Sequence, residues 1–320
     1  MLSILSTLVP VFGIILFGII IERMDFLPLE TPACLNQFVY WIGLPMMLFQ
    51  QLSRMEAGQV SSALVWGMLL SFAVTYLIAD LLFTGGFRKR SQEGAVLALL
   101  SSFPNSAFMG LPIIVLLLPG DTDAAVVASL GAVLTSANMI FTDSKLEFAR
   151  HTGEKRGKAF RSLFRSLYHN PMLVYSALGA LVSLFQIPVP RAILAMTGML
   201  GSTAAPCALF CMGMILSRQM TSSRGFVKGW VRRQFPLHLL KLAAEPLIMF
   251  GILYLLGIRG TALGVATVVS AMPTAVAAYI IAEKYQVATE DSSLGIVVDT
   301  ALSALTIPVL IVLLQYQGLL

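Results

Sequence analysis

The chain has 320 residues, of which 57% are hydrophobic and 12% charged, with a net charge of +5. Globular domains carry about 25% charged residues and single cores stop growing near ~250–300 residues, so a soluble domain is excluded and most of this surface must face lipid. The basic residues cluster in a few loops between apolar runs, which leaves no nucleic-acid surface.

A spanning helix needs about 20 mostly apolar residues. Ten spans are predicted, at 4–21, 33–52, 60–83, 94–118, 124–141, 171–186, 192–216, 236–257, 262–282 and 292–317. The first starts without a basic residue ahead of it and without a cleavage-site pattern, so it is expected to be a helix rather than a signal peptide. The sixth is short and ends at Ile187-Pro188-Val189-Pro190. The polar stretch Thr142–Asn170 is expected to be a loop. The expected division is a five-helix repeat at 1–141, a basic loop at 142–170 and a second five-helix repeat at 171–320.

Of 21 Lys and Arg residues, 17 lie in the loops after the odd-numbered spans, seven of them between Lys145 and Arg165. Arg54, Arg191 and Arg259 lie on the other side and Lys241 within span 8. The positive-inside bias puts these basic loops in the cytoplasm and both termini outside, in an inner (plasma) membrane. Cys34, Cys207 and Cys211 lie in apolar stretches without metal spacing, and the reading is of small buried hydrophobes rather than disulfides. Nothing calls for a cofactor or a metal.

The halves resemble each other. Pro10 and Pro45 recur 161 residues on as Pro171 and Pro206, Gly18 as Gly179, Leu48 as Leu209 and Phe49 as Phe210. Later the offset becomes 169, matching Ser101 to Ser270 and Pro104 to Pro273. Five spans per half make the repeat inverted, a design used by secondary transporters.

Pro104 and Pro273 each fall ~10–11 residues into a span, about 15–16 Å deep, which is the midplane of a ~30 Å core. Proline there removes a backbone hydrogen bond, tolerated only where protein or a water-filled cavity supplies a partner. Ser101-Ser102-Phe103-Pro104-Asn105-Ser106 and Ser270-Ala271-Met272-Pro273-Thr274 surround them. Asn105, Ser106 and Thr274 are expected to cap the following half-helices, whose positive ends attract anions. The competing reading is a pair of plain proline kinks.

The string from Phe103 to Pro112, Phe-Pro-Asn-Ser-Ala-Phe-Met-Gly-Leu-Pro, resembles the fourth-helix motif of the auxin efflux carrier family, which includes plant PIN carriers and bacterial malonate and malate permeases. The resemblance spans the chain, through the ten spans, the basic central loop and the Leu-Pro and Ala-Pro motifs of spans 2 and 7. It implies broken helices 4 and 9 that cross at their prolines. It also implies a moving domain of helices 3–5 and 8–10 on a scaffold of helices 1, 2, 6 and 7. Substrate carboxylate would then lie by Pro104, Asn105, Pro273 and Thr274, with Ser106 and Ser270 beside them. Plant carriers have asparagine where this chain has Thr274. The related bile-acid sodium symporters use an acidic residue in helix 9, where this chain has none before Glu283.

Charges inside spans need a partner or a task. Asp299 is the candidate for proton or cation coupling, the alternative being a carboxylate that caps polar backbone. Lys241 and Glu245, four apart on one face, are read with Asp80 as a structural charge cluster. Asn36 and Asn138 are read as interhelical hydrogen-bonding residues, with substrate contact open for Asn36. His238 is placed near the interface, without a catalytic role. An intramembrane enzyme is argued against by the absence of Gly-x-Ser-x-Gly, His-Glu-x-x-His and paired membrane aspartates. The expectation is a secondary transporter of a small organic anion, a dicarboxylate such as malonate or malate. A sodium-coupled carrier, a passive anion channel and a homodimer stay open.

Overall fold

The computed structural model describes residues 2–55, 60–84, 92–150, 170–222 and 230–320. These are all-helical, with one isolated antiparallel bridge between Pro104 and Thr274. In chain order the helices are α1 (Leu2–Arg23), α2 (Thr31–Phe38), α3 (Leu44–Ser53), α4 (Ser62–Thr84), α5 (Gln92–Leu100), α6 (Leu111–Leu117), α7 (Thr122–Leu134) and α8 (Ser136–Arg150). They continue with α9 (Pro171–Leu184), α10 (Arg191–Ser202), α11 (Ala204–Ser222), α12 (Trp230–Leu239), α13 (Glu245–Leu255), α14 (Gly260–Ser270), α15 (Ala277–Tyr285) and α16 (Thr289–Tyr316).

Among the described residues five stretches are long and apolar enough to cross a membrane: Ser62–Thr84, Thr122–Glu147, Arg191–Met220, Gln234–Leu255 and Thr289–Tyr316. Shorter apolar helices cover Ser106–Leu117, Pro171–Leu184 and Gly260–Ser270. These helices leave many large apolar side chains exposed, among them Trp66, Leu70, Leu247, Leu305 and Val309. A belt of that kind suits hydrocarbon rather than water.

Two of these helix pairs approach through glycine. A Cβ on Gly18 of α1 would lie 2.3 Å from the Phe210 carbonyl oxygen of α11. A Cβ on Gly179 of α9 would lie 2.8 Å from the Phe49 carbonyl oxygen of α3. Gly179 and Phe210 are the residues 161 positions after Gly18 and Phe49, so the two contacts are reciprocal. Bare glycine lets backbones meet where lipid gives no hydrophobic drive to associate.

Among the described residues three π-turns interrupt the helices, at Val39–Gly43, Ser106–Gly110 and Leu240–Ala244. Each is followed after one residue by proline, namely Pro45, Pro112 and Pro246. Proline has no N–H and its ring strikes the carbonyl four residues back. A turn widened to i→i+5 bonding relieves that clash, and the helix then resumes.

The helix after span 5 does not stop at residue 141. Thr142–Arg150 continues α8, and residues 151–169 of the expected basic loop lie outside the described set. Polar partners hold the extension. Lys145 pairs with Asp80 at 2.5 Å, and Asp143 is met by Lys284 at 2.6 Å and by the Tyr285 hydroxyl at 3.0 Å. The cysteines are free thiols: Cys211 is buried, Cys207 partly buried and Cys34 exposed, the last unlike the buried site expected.

Candidate transport site

Helix α5 ends at Leu100 and α14 at Ser270, each a few residues before its proline. The two broken segments then run antiparallel. The Asn105 N–H donates to the Pro273 carbonyl at 2.8 Å, and the Ala275 N–H to the Phe103 carbonyl at 2.9 Å. Pro104 and Thr274 therefore face each other as a non-hydrogen-bonded pair. In that register the missing N–H of Pro104 costs nothing, because no ladder bond falls on it. The local two-fold relates Pro104 to Thr274, one residue away from the proline-to-proline match at offset 169.

Breaking a helix strands carbonyls, and buried side chains meet them. The Leu100 carbonyl would have accepted from residue 104, which is proline; the Thr274 hydroxyl lies 2.7 Å from it instead. The Ser102 carbonyl accepts from the Asn138 amide at 2.8 Å. On the other segment the Ser270 carbonyl accepts from Lys241 Nζ at 2.9 Å, and the same ammonium pairs with Glu245. Lys241 is fully buried and Glu245 is 1% exposed, so each charge depends on the other. Asp80 stands apart from this pair, in its bridge to Lys145.

Thr274 therefore caps the opposite broken helix rather than the half-helix that follows it. Asn105 sits at the start of its half-helix, but its side chain makes no cap; its amide lies 3.4 Å from Met212 Sδ of α11. Ser106 Oγ turns back to the Pro104 carbonyl at 3.4 Å. Asn105, Ser106, Ser270 and Thr274 are all buried.

Asp299, fully buried on α16, joins the crossover: its Oδ2 is 2.5 Å from Thr274 Oγ1. Its Oδ1 is 2.7 Å from His238 Nδ1 of α12. His238 is the residue that sequence reasoning missed. The available signal was that His238 and Asp299 both enter from loops on the same expected face, but neighbouring depth does not give lateral contact.

A cavity of about 850 Å³ lies beside the crossover, between α2 and α11 on one wall and the 276–293 segment on the other. Asn36, Arg218 and Gln219 line it from one side, and Val276, Tyr279 and Glu283 from the other. Arg218 is held by Glu22 at 2.5 Å. Asn36 thus faces open space, while the buried residues around Pro104 and Pro273 are absent from the lining. Among the described residues no group of three or more His, Cys, Asp or Glu side chains could hold a metal ion.

Apolar spanning helices, a core of broken backbone and a cavity abutting it define a membrane carrier rather than an enzyme. The profile of the membrane transport protein family matches residues 3–311, and the chain belongs to that family, the auxin efflux carrier family of the sequence resemblance. A Rhizobium meliloti protein named "Putative malonate transporter" is 25% identical over 323 residues, covering 100% of this chain and 98% of that protein. An "Uncharacterized transporter" of Methanothermobacter thermautotrophicus is 24% identical over 314 residues, covering 95% and 96%. One from Methanocaldococcus jannaschii is 22% identical, covering 92% and 93%.

Proposed function

We propose that this transporter carries a small organic anion, with a dicarboxylate such as malonate or malate as first choice, by alternating access at the crossover. One observation carries the reading: two broken helices held to each other by backbone hydrogen bonds, directly beside an open cavity. Donor-bearing groups at a broken helix start attract carboxylate, and Asn105, Ser106 and Thr274 stand there. Asn36 is the wall residue already open to solute, and Ser270 lies behind the second break. The similarity to a protein named for malonate supports the substrate class.

The finer architecture belongs to the same reading. Ten spans form two inverted five-helix repeats, with termini outside and basic loops in the cytoplasm of an inner membrane. The reciprocal Gly18–Phe210 and Gly179–Phe49 contacts support a two-fold between the halves. Helices α4–α8 and α12–α16 would move as a body against α1–α3 and α9–α11.

Thermal unfolding of the purified protein against mono- and dicarboxylates tests the substrate class, and malonate counterflow in liposomes tests carriage. Stabilisation by malonate or malate is expected, with a loss of ten-fold or more in counterflow for Asn105→Ala. Stabilisation by neutral solutes or cations alone would sink the anion reading, and full uptake by Asn105→Ala would remove the crossover from the site.

A further inference from the structure

A count of protons around Thr274 leads further. Its hydroxyl has one hydrogen, yet Oγ1 lies 2.7 Å from the Leu100 carbonyl and 2.5 Å from Asp299 Oδ2. A carbonyl can only accept, and an ionised carboxylate likewise only accepts. Both contacts are hydrogen bonds at once only when Oδ2 carries a proton. The carboxyl then donates to Thr274, Thr274 donates to Leu100, and His238 Nδ1–H donates to Asp299 Oδ1 at 2.7 Å. Each of these three contacts then has one donor and one acceptor.

We infer that Asp299 and His238 hold one exchangeable proton, and that Thr274 transmits its presence to the joint between the two broken helices. On release the Oδ2–H bond breaks, its electron pair stays on oxygen, and the proton leaves to a water or solute base, while His238 Nδ1–H keeps its bond to Oδ1 and holds the carboxylate. The carboxylate then draws the Thr274 hydroxyl to itself, and the Leu100 carbonyl is left without the donor that replaced the amide of residue 104. A bare buried carbonyl is costly, so the unprotonated joint is the looser one.

The surroundings give the proton a direction. Gln234, His238, Lys241 and Glu245 recur at four, three and four residues along one face, and Asp291 and Asp299 line the facing helix. Gln234 Nε2 donates to Asp291 Oδ1 at 2.8 Å. A polar seam thus runs from the loop end of α12 and α16 to the crossover. Among the described residues, few other charges face Asp299. Lys241 and Glu245 lie on the same helical face as His238 and oppose each other, with the Glu245 carboxylate close enough to act on Asp299. Asp291 and, on α5, Glu93 lie about two turns outward. From α5 and the segment after Pro273 come Leu100 and Thr274, which do not titrate. Around the cavity, α11 brings Arg218, α15 brings Tyr279 and Glu283, and α16 brings Glu290 near its start.

Use of this proton for coupling rests on the transport reading; the site itself does not. Infrared difference spectra of the protein in lipid, above about pH 6 where exposed carboxyls are ionised, should show a protonated carboxyl band. It should disappear in Asp299→Asn and shift in Thr274→Val and His238→Gln. Isotope-labelled aspartate should move the same band in the unaltered protein, which settles the assignment even if Asp299→Asn does not fold and separates it from Glu245. In liposomes, malonate entry should carry protons in the wild type and none in Asp299→Asn. A spectrum with no aspartic acid band at any pH overturns the proposal, even when malonate is carried. The band without malonate transport keeps the proton site and removes the substrate.

Discussion

At the residue scale, Thr274 does the work a backbone amide would do elsewhere. Proline at 104 deprives Leu100 of its donor, and a hydroxyl from another helix fills the place. Thr274→Val removes the hydroxyl at nearly constant volume and strands a buried carbonyl, a cost of about 1–3 kcal/mol. Its unfolding midpoint should fall well below that of Thr274→Ser, which keeps the hydroxyl; equal midpoints would show that the cap is not made. The two prolines and the polar residues around them were legible because proline breaks helices whatever surrounds it. Lys241–Glu245 was legible because a spacing of four puts two side chains on one helix face. Asp80 was grouped with them on depth alone, and the structure gives it Lys145, a neighbour on the extended α8. His238–Asp299 escaped for the same reason: residues 61 apart meet only once the helices have packed.

At the element scale, apolar length located the five long apolar helices and the shorter apolar ones, but local chemistry set their interiors and ends. The π-turns before Pro45, Pro112 and Pro246 answer a clash that hydropathy does not register. The end of α8 moved outward because Asp143 and Lys145 found partners on other helices, a tertiary fact no window of sequence contains. Helix contacts through glycine make a sharper forecast. Gly18→Leu and Gly179→Leu each drive a side chain into a facing backbone carbonyl, where overpacking costs about 1–3 kcal/mol or more. Both variants should lose folded yield on gel filtration, whereas Gly251→Leu, with nothing within 4 Å of its Cβ position, should not. Comparable yields for all three would mean that these helices are not in close contact.

At the scale of the whole molecule, the backbone bonds at the crossover join a segment from each half of the chain. Those bonds run through Asn105 and Ala275 amides and through the Phe103 and Pro273 carbonyls. They involve no side-chain chemistry, so the joint can persist while the surrounding side chains are tuned to a substrate.

The cavity beside the crossover has a further consequence. It lies between the walls carrying Asn36 and Val276. On the inverted-repeat reading, the halves trade conformations during the cycle, and each lining residue hands its place to its counterpart in the other half. Asn36 maps to Thr197, Ile215 to Arg54, Val276 to Ala107 and Tyr279 to Gly110. Thr197 is now buried, with its hydroxyl turned to its own helix. In a background without the native cysteines, Asn36→Cys should react with an impermeant thiol reagent from one face of the membrane, and Thr197→Cys and Ala107→Cys from the other. Labelling of all three from a single face would rule out the exchange. On that reading the second vestibule would be lined in part by Thr197 and Gly110, which are buried in this conformation.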